Sequence, residues 1–87
     1  MEEWYSIVRR LKDESEDPKL TREFCFRVYH DLMQLKPTDK KDFRDRKGPK
    51  FDGWATTLFE DGYSQELITA ILSDDSFWKK TIEMTLS

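Results

Sequence analysis

Cysteine, glycine and proline are all scarce here, with one cysteine and three each of glycine and proline in 87 residues. A lone thiol, Cys25, excludes an internal disulfide and makes a reducing compartment the default. So little glycine and proline, with no β-branched runs, excludes a turn-rich β protein. Histidine occurs once, as His30, and one histidine with one cysteine cannot build a zinc site. Glycine-rich phosphate loops are missing. The acidic pairs Glu60-Asp61 and Asp74-Asp75 lack the alternating spacing of a calcium loop and read as helix caps. No stretch approaches the roughly 20 apolar residues of a membrane span, and the opening "MEEWYSIVRRLKDESED" has no apolar signal core. The expectation is a soluble cytoplasmic protein with no metal, no cofactor and no membrane partner.

What the chain has is charge and aromatic rings. Charged residues make up 38% of it, and six phenylalanines, three tyrosines and three tryptophans supply the apolar bulk. A domain this small buries only about 60–65% of the surface its unfolded chain exposes, so rings that each bury about 150–250 Å² matter to its core. The net charge of −3 gives no global drive toward nucleic acid. Its distribution is uneven. Residues 1–35 hold six basic and eight acidic side chains, 36–50 hold seven and three, and 51–87 hold two and seven. A basic strap therefore separates two acidic parts.

Helical periodicity runs through the rest. In "EEWYSIVRRL", Trp4, Ile7, Val8 and Leu11 share one face, with acids early and bases late, as the helix dipole favours. Tyr5 falls off that stripe. "DESED" then reads as a solvated loop. "DPKLTREFCFRVYHDLMQLKP" is the longest helix, capped by Asp17, opened by Pro18 and ended by Pro37. Leu20, Phe24, Val28, Leu32 and Leu35 form its stripe, widened by Cys25, Tyr29 and Met33. "TDKKDFRDRKGPK" is polar, with one helical turn expected after Thr38 or Asp39, anchored by Phe43, and a break at Gly48-Pro49. A third helix starts near Asp52, buries Trp54, Leu58 and Phe51, and is closed by Gly62. A fourth is capped by Ser64 with Leu67, Ile68, Ile71 and Leu72 inward, and a fifth packs Phe77, Trp78 and Ile82. The fold class is all-α: a compact single domain over residues 1–87, a bundle of four to five short helices. Segment 36–50 links the N-terminal helices to a C-terminal helical hairpin.

Catalytic chemistry is not in evidence. Cys25 and His30 lie five residues apart and so point about 140° apart on a helix, which disfavours a nucleophile pair. Cys25 reads as a small buried hydrophobe and His30 as a helix-surface residue. Gly62-Tyr63-Ser64 followed by Ile68 has the spacing of a helix-turn-helix. Yet no Arg or Lys lies between Lys50 and Lys79, while a recognition helix enters the most negative surface of the duplex. The motif reads as a structural turn. The better nucleic-acid candidate is the strap, where Lys36, Lys40, Lys41, Arg44, Arg46, Lys47 and Lys50 surround Phe43, suited to tracking phosphates and stacking one base. The competing reading is a solubilising linker that Asp39, Asp42 and Asp45 partly neutralise.

Trp54, Leu58, "EDGYS" at 60–64, Glu66-Leu67-Ile68, Ile71, and Asp75, Phe77, Trp78, Lys79 and Ile82 as "D-x-FW-K-x-x-I" carry a resemblance. Residues 54–87 resemble a helical module near the C-terminus of bacteriophage and prophage replication proteins, reminiscent of DnaD-like domains. The resemblance implies a helical hairpin with an aromatic clasp and a place in DNA replication, through contacts with single-stranded DNA, the replicative helicase or its loader. Together these readings give a non-enzymatic binding module, with weak, salt-sensitive single-strand contacts through the strap. Protein contacts would run through Tyr5, Glu60, Asp61, Tyr63, Glu66, Asp74 and Asp75. The alternative is a protein-interaction module or small inhibitor with no nucleic-acid role, using rings drawn from Trp4, Tyr5, Tyr63 and Trp78, since Trp and Tyr dominate binding hot spots.

Overall fold

The computed structural model describes residues 2–35 and 53–86. Within them are five helices: α1 Glu2–Asp13, α2 Pro18–Leu35, α3 Trp54–Glu60, α4 Gln65–Leu72 and α5 Asp75–Leu86, with no strand among the described residues. The protein is all-α, as its composition requires. The side chain of Leu35, the anchor Phe43, the turn expected after Thr38 or Asp39, the break at Gly48-Pro49, and Pro37, Phe51 and Asp52 all lie outside the described residues.

Each helix boundary has a local cause. Glu2 and Glu3 occupy the first turn of α1, and Arg10 and Lys12 the last, so both ends complement the dipole. At the head of α2 the Leu20 amide donates to Asp17 Oδ1 at 3.1 Å, and Pro18 sits where its missing N–H costs nothing. The preceding loop is more ordered than a merely solvated stretch. Ser15 Oγ accepts from the Asp17 amide at 3.0 Å and lies 2.6 Å from Oγ1 of the buried Thr21.

The "EDGYS" stretch turns α3 into α4 by a Schellman motif. The Tyr63 amide donates to the Leu58 carbonyl at 3.3 Å and the Gly62 amide to that of Phe59 at 3.1 Å. This geometry needs a left-handed residue, and Gly62 supplies it at φ 107°. Ser64 then caps α4 by accepting from the Leu67 amide at 3.1 Å, and Asp74 caps α5 by accepting from the Phe77 amide at 2.9 Å.

Packing joins the chain's distant parts. α1 and α2 pack on each other and both contact α5; α3 and α4 form the hairpin that leads into it. Trp4, Val8 and Leu11 from α1 meet Phe24, Cys25, Val28 and Leu32 from α2 in one core. Leu58, Ile68, Ile71, Leu72, Phe77, Trp78 and Ile82 complete it from the C-terminal helices. One expectation needs correction: Met33 does not widen the buried face of α2 but is 50% exposed. Ile7, Tyr29, Trp54 and Leu67 are half-buried and pack against the core, and Leu20 is half-buried. The buried arc of α2 is narrower than its apolar sequence; among the described residues α1, α5 and the α3–α4 hairpin pack on it.

Candidate interaction surface

Tyr5 is the centre of the exposed aromatic surface, and two helices build it. On α1 it lies one position past Trp4, so the turn that buries Trp4 leaves Tyr5 43% exposed. Its ring stands edge-on to Trp4 at 5.5 Å and 6.1 Å from Phe26 of α2. Phe26 is half-buried, and the Arg22 guanidinium sits 5.2 Å from its ring centre in a cation–π contact. Arg22, Phe26, Tyr29 and Met33 follow at spacings of four, three and four, so they continue along one face of α2 beside Tyr5. The sequence reading missed Phe26. Its signal was present as a second stripe at 22, 26, 29 and 33, shadowed by the stronger one at 24, 28 and 32.

The acidic candidates divide into two groups. Asp61 and Asp74 are each paired with an arginine, Asp61 while remaining 45% exposed. Asp61 Oδ2 lies 2.7 Å from Arg27 Nη2, and both oxygens of Asp74 accept from Arg10 Nη2, at 3.0 and 2.9 Å. These carboxylates raise the pKa of their arginines: hydrogen bonding to Asp74 is the leading cause at Arg10, and hydrogen bonding to Asp61, then Asp31, at Arg27. Tyr63 also works internally, half-buried with its ring edge-on to Phe24 at 4.9 Å. Glu60, Glu66 and Asp75 are exposed. A further ion pair ties the chain's ends: Lys80 Nζ reaches Glu3 at 2.8 Å, which lowers the carboxyl pKa and raises that of the amine.

All eight nucleic-acid candidates, Lys36, Lys40, Lys41, Phe43, Arg44, Arg46, Lys47 and Lys50, lie outside the described residues. The flanks of their segment are brought together, since Trp54 Nε1, one residue into the returning chain, donates to Asp31 Oδ2 near the end of α2 at 2.9 Å.

Cys25 is buried, and its thiol is pushed up to about 12, first by burial and then by the Asp74 carboxylate. His30 faces solvent, with Nδ1 3.7 Å from Asp31 Oδ1 and Nε2 3.3 Å from Gln34 Nε2. The two side chains thus lie in different environments, one enclosed and one wet. At about pH 8 folded protein is expected to resist iodoacetamide more than about a thousandfold compared with protein in denaturant, because the thiolate is the nucleophile. Labelling of native protein at the denatured rate would contradict the enclosed position.

Among the described residues no group of three or more His, Cys, Asp or Glu side chains is placed to hold a metal ion, and no helix is long and apolar enough to cross a membrane. No family model matches the chain, and neither a curated protein nor a solved structure matches it.

Proposed function

We propose that this chain is a non-enzymatic helical binding module serving DNA replication as a phage-type accessory. Segment 36–50 contacts single-stranded DNA, and the folded faces contact a replication protein such as the replicative helicase or its loader. The observation that carries this reading is the separation of charge. Residues 36–50 hold seven cations against three acids, whereas the described residues hold eight against fourteen. Arg10, Arg27 and Lys80 are moreover paired with carboxylates of the described helices and their caps. This charge separation favours the strap for phosphate contacts, and α4, with Gln65, Glu66 and Thr69 exposed, brings no cation to a base-reading role.

Fluorescence anisotropy with labelled single-stranded oligonucleotides tests this. The expected result is weak binding at low salt that fades on a slope of about three to five phosphate contacts. Replacing Lys40, Lys41, Arg44 and Lys47 together by Glu should abolish it. Flat traces at every salt remove the DNA contact. A second reading, a protein-interaction module with no nucleic-acid role, would then stand, and the exposed Tyr5–Phe26–Arg22 surface favours it, since Tyr and Arg are enriched in binding hot spots.

A further inference from the structure

A groove of about 420 Å³ lies at the N-terminal end of α2, opposite the Leu35 end, where the loop between α1 and α2 faces α4. Its floor is apolar, formed by Leu20, Leu67 and Ile71, and the small side chain of Ala70 leaves it open. Its rim is acidic. Glu14 and Glu16 come from the loop and Glu66 from the first turn of α4, all three exposed, while among the described residues no lysine or arginine lines the groove. The nearby Arg10 engages one member of that rim, its Nη1 lying 3.5 Å from Glu14 Oε1, while its Nη2 is held by Asp74, so among the described residues Glu16 and Glu66 carry the rim's unpaired charge.

From this combination we infer that the groove is the docking site for a basic amphipathic segment of a partner protein. A large apolar side chain of the segment seats on Leu20, Leu67 and Ile71, and flanking Lys or Arg side chains pair with Glu16 and Glu66. Charge complementarity selects this occupant. Nucleic acid and acidic peptides are repelled by the rim, and a purely apolar segment leaves Glu16 and Glu66 to be desolvated without new partners. The volume suits one or two anchoring side chains rather than a whole helix face, so the contact is a peptide-in-groove mode of modest affinity. Specificity comes from the rim and the anchor from the floor. The inference rests on the binding-module reading above and gives its protein partner a chemistry.

The experiment uses a labelled synthetic peptide of about 12 residues, three helical turns, with leucines on one face and lysines on the other. A glutamate-for-lysine version is the control. The lysine peptide should bind the wild-type chain and weaken with salt, and the glutamate peptide should not bind. Glu16→Lys with Glu66→Lys should weaken binding by about tenfold and flatten its salt dependence. Ala70→Trp, which fills the floor from an exposed helix position, should abolish binding without touching the charges. Circular dichroism melts of both variants guard against simple unfolding. Equal binding by wild type and the Ala70→Trp variant would sink the groove as the site. Tighter binding by the strap variant with Glu at 40, 41, 44 and 47 than by wild type would overturn the partner, because the groove would then hold this chain's own basic segment. DNA anisotropy reads a different surface. If the peptide fails while DNA binding persists, only the groove falls; if DNA traces are flat while the peptide binds, the groove stands with the second reading.

Discussion

Trp4→Ala should cost about 3–5 kcal/mol of folding stability, as full truncation of a buried large aromatic does. The side chain is 1% exposed and is the hub of the ring cluster, with Phe26 at 5.1 Å, Tyr29 at 5.6 Å and Phe77 at 6.1 Å from its centre. It joins α1 to both α2 and α5, so no neighbouring helix can close the cavity without losing another contact. Small domains have about 5–15 kcal/mol in total, and at this length each kcal/mol moves Tm by about 4–8 °C. A fall of at least about 12 °C is the expected result. The polar edge of the ring is a second, separable part of the effect. Trp4 Nε1 donates to Thr81 Oγ1 at 2.8 Å, and the same hydroxyl donates to the Phe77 carbonyl at 2.7 Å. Thr81→Val keeps the shape and strands a buried indole N–H, at a cost of about 1–3 kcal/mol. In the Trp4→Ala background that replacement should be nearly neutral, since the donor is gone. Additive losses in the double variant, or a shift of Tm below about 5 °C for Trp4→Ala, would mean that Trp4 is not where the helices meet.

Trp4 also marks the boundary of what the sequence makes legible. Its apolar spacing placed it in the core, because a helix stripe is a local signal. The caps were legible for the same reason: Asp17, Ser64 and Asp74 each bond an amide three residues on. So was the turn at Gly62, where the left-handed backbone excludes most other residues. The bond from Trp4 to Thr81 was not, because it joins residues 77 apart and nothing in either neighbourhood names the other. The pairing of Arg27 with both Asp31 and Asp61 was equally hidden, and it ties the exposed Asp61 to α2. Met33 looked buried because periodicity counts apolar residues and cannot count the neighbours available to cover them. For the candidate site, sequence located Tyr5 through its departure from the stripe but not Phe26 beside it. The groove rim was invisible, since Glu14 and Glu16 meet Glu66 only when the α1–α2 loop faces α4.

Asp31→Ala is the second large effect, and it follows from that hidden network. A single oxygen, Oδ2, accepts from Arg27 Nε at 2.8 Å and from Trp54 Nε1 at 2.9 Å, and the Arg27 guanidinium continues to Asp61 at the end of α3. One carboxylate on α2 thus holds both ends of α3: Trp54 at its start directly, and Asp61 at its close through Arg27. The pair is only partly buried, with 28% and 17% of the side chains exposed, so the ion pair alone contributes little after screening. The hydrogen bond from a half-buried indole to a charged acceptor contributes more, and both are lost together. About 2–3 kcal/mol is expected. Asp31→Asn keeps an acceptor for Trp54 and gives up the charge, so it should recover roughly half of the loss. The location of the damage discriminates this network from a general loss of stability. Amide exchange should quicken over Trp54–Glu60 while α1, held by Trp4, keeps its protection relative to the global value. The same carboxylate draws together the flanks of residues 36–52, whose closure costs entropy that grows only slowly with loop length. Releasing it therefore frees α3 at little gain to the rest of the chain. Uniform quickening across all five helices would show instead that α3 opens only when the whole fold does.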